Sequence, residues 1–145
     1  MKNKIITGFI TFAAMLTWQA TAQIYDTNNE VVQTFAGFGI PGLIDGQGQL
    51  TEFSTPTQIV SDTASNLYVW DSGNFRIRKI TANGTVSSLA GGGTLFEGYG
   101  TNVSFNSYGP IGSIAIDHAN TIWILAQYYI YTYLLNIGTN GYVTI

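Results

Sequence analysis

The sequence predicts an all-β protein built from two copies of one four-stranded unit behind a cleaved leader. Three observations carry this. Charged residues make up only 9% of the 145-residue chain, against 14% aromatic residues and 17 glycines, a composition that fits neither a disordered tail nor a helical bundle. A glycine-rich framework occurs twice at near-constant spacing. Short apolar runs are bounded throughout by Gly, Asn and Asp at the places that must reverse the chain.

The leader comes first. Met1-Lys2-Asn3-Lys4 is followed by the apolar run "IITGFITFAAML" and by "ATA", which ends at Ala22. A basic start, an apolar run of about a dozen residues and small residues at the −3 and −1 positions form a signal peptide cleaved after Ala22. A membrane anchor needs a longer apolar stretch. The mature chain, 23–145, is thus expected to be secreted, periplasmic or at the cell surface, with no membrane span. Losing Lys2 and Lys4 leaves three basic residues against eight acidic ones, a balance of −5. That excludes nucleic acid as a partner, because phosphate binding needs a sustained basic surface. Without cysteine there is neither a disulfide framework nor a thiolate metal site.

The repeat is read from "DGQGQLTEF" at 45–53 and "EGYGTNVSF" at 97–105, each an acid, Gly, any residue, Gly and then Phe five later. Around them "TFAG" recurs as "SLAG", "PTQIVSD" as "PIGSIAID" and "NLYVWD" as "TIWILA", a period of about 52 to 57 residues. Residues 31–37 read as an outer or closing strand. The first unit, about 57–91, has strands expected at 57–61, 67–70, 76–80 and 85–90, with turns "DTASN", "DSGN" and "ANG" between them. A loop over 92–109 leads to the second unit, about 110–145, with strands at 112–116, 122–125 and 130–135 and a last one from Tyr142.

Leu67, Tyr68, Val69 and Trp70 are large on both faces of their strand, as are Ile122, Trp123, Ile124 and Leu125. A sheet with one wet face cannot accommodate that. Four-stranded antiparallel units, apolar on both faces and repeated in tandem, are what a β-propeller blade requires, since a neighbour covers each face. A two-sheet sandwich is the alternative.

At this point the residues carry a family resemblance. "NLYVWDSGNFRIRKITANGTVSSLAGGG" at 66–93 resembles an NHL repeat through Asn66, Tyr68, Val69, Asp71, Asn74, Arg76, Ile77, Lys79 and Ile80. The second unit departs from the pattern: Ala126 stands where Asp71 was, Tyr129 where Asn74 was and Tyr131 where Arg76 was. The resemblance implies a propeller blade, usually one of six or so, in proteins that bind proteins, RNA or small ligands, with a few enzymatic relatives. The matched residues Asp71, Asn74 and Arg76 are blade-building, so no catalytic set comes with them. Two units cannot close a ring, and "NGYVTI" repeats the start of "NGTVSSLAG". The chain is therefore expected to be a fragment of a longer propeller, or a protomer that completes its ring by self-association.

In "RIRK" and the residue before it, strand alternation puts Arg76, Arg78 and Ile80 on one face and Phe75, Ile77 and Lys79 on the other. An Arg76–Asp71 ion pair across the turn is expected, both positions losing their charge together in the second unit; an anion-binding role for Arg78 or Lys79 is the alternative. "DTNNE" at 26–30 lacks the Gly and Glu an EF-hand loop requires, and Asp45 and Glu97 read as ligands or, as is more usual, as turn caps. No cofactor is expected, calcium entering only in a complete ring. The glycine-rich loops lack the Lys-Ser/Thr of a phosphate cradle and read as exposed loops on one end of the fold, the place to look for ligand contacts. His118, in "DHAN", is a solvated turn residue. The aromatic run "WILAQYYIYTYLL" is core or blade interface, or else a carbohydrate or protein contact surface. The expected function is a non-catalytic scaffold for a protein or small ligand; the alternative is part of an enzymatic six-bladed propeller, lactonase- or lyase-like, with a metal in the central channel.

Overall fold

Turn residues cut the chain into short extended runs, and in the computed structural model, which describes residues 23–26 and 31–145, these pair as antiparallel strands. The expected leader with Ala22 and most of "DTNNE" lie outside the described residues. Strands β1 (Gln23–Asp26) and β2 (Val31–Thr34) form a separate two-stranded ladder. The first five-stranded sheet contains β3 (Gly46–Gln47), β4 (Pro56–Ser61), β5 (Leu67–Asp71), β6 (Arg76–Ile80) and β7 (Thr85–Gly91), in the order β3-β7-β6-β5-β4. The second contains β8 (Gly98–Tyr99), β9 (Ile111–Ile116), β10 (Ile122–Tyr128), β11 (Tyr131–Ile137) and β12 (Tyr142–Thr144), in the order β8-β12-β11-β10-β9. Each sheet is thus a four-stranded meander with a two-residue strand from the preceding loop added beside its last strand.

That added strand corrects one expectation. Residues 31–34 pair with β1 and not with the first unit; Gly46–Gln47 takes the outer place beside β7. The reason is local. Asp45 turns its carboxylate onto β7, accepting from Ser88 N at 3.0 Å and Ser88 Oγ at 3.4 Å, and so holds the glycine-rich loop against the sheet edge. Glu97 does the same in the second unit, accepting from Ile145 N at 3.0 Å. The repeated glycines explain the shared path, since Gly48 and Gly100 sit at φ +52° and +53°, where a side chain is strained.

The two sheets bury a common core between them. Tyr68, Trp70, Ile77 and Ala90 of the first sheet meet Ile114, Ile122, Ile124, Ala126, Leu135, Ile137 and Val143 of the second, with Val103, Phe105 and Tyr108 of the intervening loop wedged in. Phe105 stands edge-on to Trp70, ring centres 5.8 Å apart. Gln58 ties the leading strands together: its Nε2 donates to Gly112 O at 3.0 Å and its Oε1 accepts from Ile114 N at 2.7 Å. The other face of the first sheet, Val69, Ile80 and Val86, is covered by Ala36 and Phe53. Phe53 and Phe105 occupy the same place in the repeated framework, so each unit's loop covers one face of its own sheet.

Both units close their first turn alike. Asp62 Oδ1 accepts from Ala64 N at 2.9 Å and Asn66 N at 2.8 Å, and Asp62 Oδ2 accepts from Tyr68 Oη at 3.0 Å. Asp117 accepts from Ala119 N, Thr121 N and Trp123 Nε1, each at 2.9 Å. For Asp62, burial works to raise the carboxyl, but donors on Asn66, Tyr68 and Ala64 outweigh it and hold it below the ordinary carboxylate value. Asp117 is held low mainly by the Trp123 indole. Tyr68 is pushed up to about 12, chiefly by burial and then by its bond to Asp62.

Candidate functional site

One end of the molecule is built by the β5–β6 turn, the β10–β11 hairpin tip and the glycine-rich loops. Asn74 fixes the first of these: its Nδ2 donates to Gly42 O at 2.8 Å and to Asp71 Oδ2 at 2.7 Å. Gly73 N donates to Ser54 O at 2.8 Å, and a Cβ at Gly73 would lie 2.3 Å from Ser54 Oγ, so only glycine lets the two segments approach this closely. Ser72 Oγ donates to Thr55 O. Phe75 then leaves the turn in the left-handed region, φ 52° and ψ 46°, its N–H donating to Ser72 O at 3.2 Å. Tyr129 at the second tip has φ 54°. A bulky side chain in that region is uncommon, and both tips hold one at the same end of the fold.

The expected Arg76–Asp71 ion pair is not the one that forms. Asp71 and Arg76 face each other in the β5–β6 register, but Asp71 Oδ2 accepts from Arg78 Nη1 at 2.9 Å, and both side chains are fully buried. Arg78 Nη2 also donates to Asp45 Oδ1 at 2.6 Å and to Ile44 O at 3.0 Å, while its guanidinium lies 4.9 Å from the Phe53 ring centre. The physical reason is reach. Arg78 lies two residues along β6 on the same face, where its long side chain can gather Asp71, Asp45 and the carbonyls of the covering loop together. Burial pushes the Asp71 carboxyl up, against the pull of Asn74, Ser54 and Arg78.

Arg78 is therefore not an anion site, being enclosed and taken up by Asp71 and Asp45, while half-buried Lys79 has its Nζ 5.7 Å from the Tyr68 ring centre. Arg76 is the cation left over. Its Nη1 donates to Gly91 O at 3.0 Å, its Nε is buried with no hydrogen-bond partner, and among the described residues it has no carboxylate within ion-pair distance. Its guanidinium lies flat on Gly92, where a Cβ would come within 2.4 Å of Cζ.

The second unit also differs from its expected alignment. The β10–β11 ladder places Tyr133 opposite Ala126 and Leu135 opposite Ile124, whereas Arg76 faces Asp71 and Arg78 faces Val69. The second hairpin is longer, so Tyr133 and not Tyr131 occupies the place of Arg76, and Leu135 that of Arg78. Tyr131 is 60% exposed at the extended tip with Tyr129 and Ile130 at 81% and 87%. The aromatic run thus divides: Ile124, Ala126 and Leu135 are core, while the tip residues are surface. His118 lies beside Asp117 in the turn and borders a small cavity at the opposite end, about 220 Å³, with Asp62 and Asn120.

Between the two sheets, at the loop end, lies a cavity of about 490 Å³ lined by Thr57, Trp70, Ser72, Phe75, Asn106 and Tyr128 among others. Trp70, Phe75 and Tyr128 line it with Pro110 and Ile111, beside the hydroxyl and amide groups of Thr57, Ser72 and Asn106, a mainly apolar lining with a few polar groups of the kind small-molecule sites have. The glycine-rich loops pointed to this end, but Phe75, expected on a strand face, and Asn106 reach the cavity through the turn conformation and loop packing. Among the described residues, no three His, Cys, Asp or Glu side chains come together to hold a metal ion. No helix among them is long and apolar enough to cross a membrane.

No family model matches the chain, and no curated protein matches it. Solved structures do. The chain is similar to an auxiliary nutrient binding protein from Bacteroides ovatus ATCC 8483, TM-score 0.52 and 24% identity, over 70% of this chain and 28% of that one. A counterpart from Bacteroides thetaiotaomicron VPI-5482 gives TM-score 0.51 and 24% identity over the same shares. The chain therefore spans little more than a quarter of these structures, and at this identity the likeness speaks for the fold.

Proposed function

We propose that the chain is an exported binding protein, part of an NHL-like β-propeller, that holds a small ligand at its loop end without chemically changing it. The observation that carries this reading is the cavity between the sheets. It has an apolar aromatic wall, a few polar side chains, and walls made by strands and by turns pinned through Asn74, Ser72 and Gly73. Rigid strands presenting loops of this composition suit recognition. The propeller reading rests on the repeated meander, on sheets apolar on both faces and on the NHL-like residues of the first unit. The fold likeness to auxiliary nutrient binding proteins supports a binding role. Export rests on the leader, and mass spectrometry of protein recovered from a bacterial periplasm or medium should give a mature chain beginning at Gln23.

The binding reading is tested by thermal denaturation of the full mature chain against panels of saccharides, amino acids and short peptides. A ligand at a hundred times its Kd should stabilise by about 2.7 kcal/mol. Tyr128→Ala, at the cavity wall, should remove that shift. No stabilisation by any panel, or turnover of the bound compound, would contradict the reading.

A further inference from the structure

Resting on the binding reading above, the cleft's chemistry narrows the ligand. A second cavity of about 280 Å³ adjoins the first and shares Phe75 and Asn106 with it. Its lining adds Asn74, Arg76, Gly92 and Ser104. We propose that the joined cleft binds an acidic saccharide, a uronic-acid unit whose carboxylate meets Arg76 and whose C–H face lies on the aromatic rings.

Charge argues first. Of the three described cations, Arg78 is bound to Asp45 and Asp71, Lys79 lies over Tyr68, and Arg76 has no acidic partner among the described residues. Gly91 O takes one of the donors of Arg76, and Gly92 holds the guanidinium plane in place, so the fork is set before a ligand arrives. A planar guanidinium with donors to spare matches a carboxylate, which accepts two parallel N–H bonds. One fixed cation in a chain of formal charge −3 suits a single carboxylate far better than a phosphate dianion or a polyanion.

The rest of the cleft selects the body of the ligand. Phe75 is 41% exposed and Tyr128 44% exposed, both beside the first cavity, offering ring faces to an apolar surface. Ser72, Asn106 and Ser104 flank them with hydroxyl and amide groups. A pyranose ring carries this combination, one face of C–H groups and an equator of hydroxyls, and a uronic acid adds the carboxylate. A peptide C-terminus offers Arg76 the same carboxylate but has no rigid ring edged with hydroxyls to lie across the aromatic faces, so more of its freedom is lost on binding.

Calorimetric titration of the mature chain with glucuronate, glucose, acetate and a short peptide with a free C-terminus tests this. Glucuronate should bind at least tenfold more tightly than glucose, and its affinity should fall as salt rises. Arg76→Met should erase that preference, with Arg76→Lys intermediate, and circular dichroism should show both variants folded. Tyr128→Ala should weaken both sugars alike. Glucose binding as tightly as glucuronate, or a preference that survives Arg76→Met, overturns the acidic-saccharide assignment while the binding reading stands. Acetate or the peptide binding as tightly as glucuronate overturns it too, as does binding of a non-saccharide panel compound alone. If no compound of any class binds, both readings fail.

Discussion

The two sheets share one frame and fill it with opposite chemistry. In the first, the face covered by its loop buries Asp71 and Arg78, joined at 2.9 Å and extended to Asp45 at 2.6 Å. In the second, the corresponding strand positions hold Ala126 and Leu135, both fully buried, and the sheet closes on hydrocarbon. The loops follow the chemistry. Arg78 donates to Glu52 O at 3.1 Å and to Ile44 O at 3.0 Å, fastening the first covering loop through charge-assisted bonds. The second loop is held by packing of Val103, Phe105 and Tyr108, with Tyr108 Oη donating to Phe96 O. One backbone plan thus accepts either an ion-paired or an apolar core, because turns and glycines set the path and the core residues only have to complement one another.

The comparison can be broken most severely at the ion pair. Asp71→Ala leaves Arg78 buried with Asp45 as its remaining acidic partner and should cost about 3 to 5 kcal/mol in urea denaturation. A loss under about 0.5 kcal/mol would mean that the first unit does not depend on the pair. The matching cut in the second unit is Leu135→Ala, for which cavity formation predicts a loss of about 2 to 5 kcal/mol. Its signature differs: that loss should be insensitive to salt and pH.

A feature common to both units gives a smaller, pH-dependent effect. Asp62 and Asp117 both titrate below the ordinary carboxylate value in the folded chain. Their stabilisation is present above the unfolded value, about 4, and is lost as pH falls through the folded values. The melting temperature should therefore drop below about pH 4, and Asp62→Asn with Asp117→Asn should flatten that drop. Asp71, raised by burial, runs the other way, so the difference between wild type and double variant isolates the turn carboxylates. An undiminished acid slope in the double variant would remove these two residues from the account.

The smallest effect separates the hairpin tips. Tyr129 holds a left-handed conformation while 81% exposed, so Tyr129→Gly should leave stability unchanged or raise it by up to about 1 kcal/mol. Phe75→Gly relieves the same conformation but removes a ring from the cleft wall, and should lower ligand affinity, which Tyr129→Gly should not. Equal effects of the two on binding would mean that the tips are interchangeable.

Much of the frame was legible in the sequence, because turn chemistry and repeat spacing are local. The strands at 67–70, 76–80 and 85–90 are found as Leu67–Asp71, Arg76–Ile80 and Thr85–Gly91, bounded by the Gly and Asn residues that marked them. The alternation that set Arg76, Arg78 and Ile80 on one face was also readable. Which arginine takes Asp71 was not, because the choice depends on a loop from 45–53 folding over that face and bringing Asp45 with it. The two-residue shift of the second hairpin was hidden too, since "YYIYTY" offers no Gly or Asn to mark where the chain turns. The cleft was the least legible part. Asn106 and Phe75 meet there through tertiary packing, and neither stands in a pattern that announces a site.

The two arginines of "RIRK" exchange their expected roles: Arg78 takes the buried Asp71, and Arg76 has no carboxylate partner among the described residues. Urea denaturation of Arg78→Met and Arg76→Met side by side tests this exchange most directly. The account predicts a loss of about 3 to 5 kcal/mol for Arg78→Met, which strands the buried Asp71 carboxylate, and about 1 kcal/mol for Arg76→Met, whose bond is to Gly91 O. Equal losses, or the larger loss at Arg76, would contradict it.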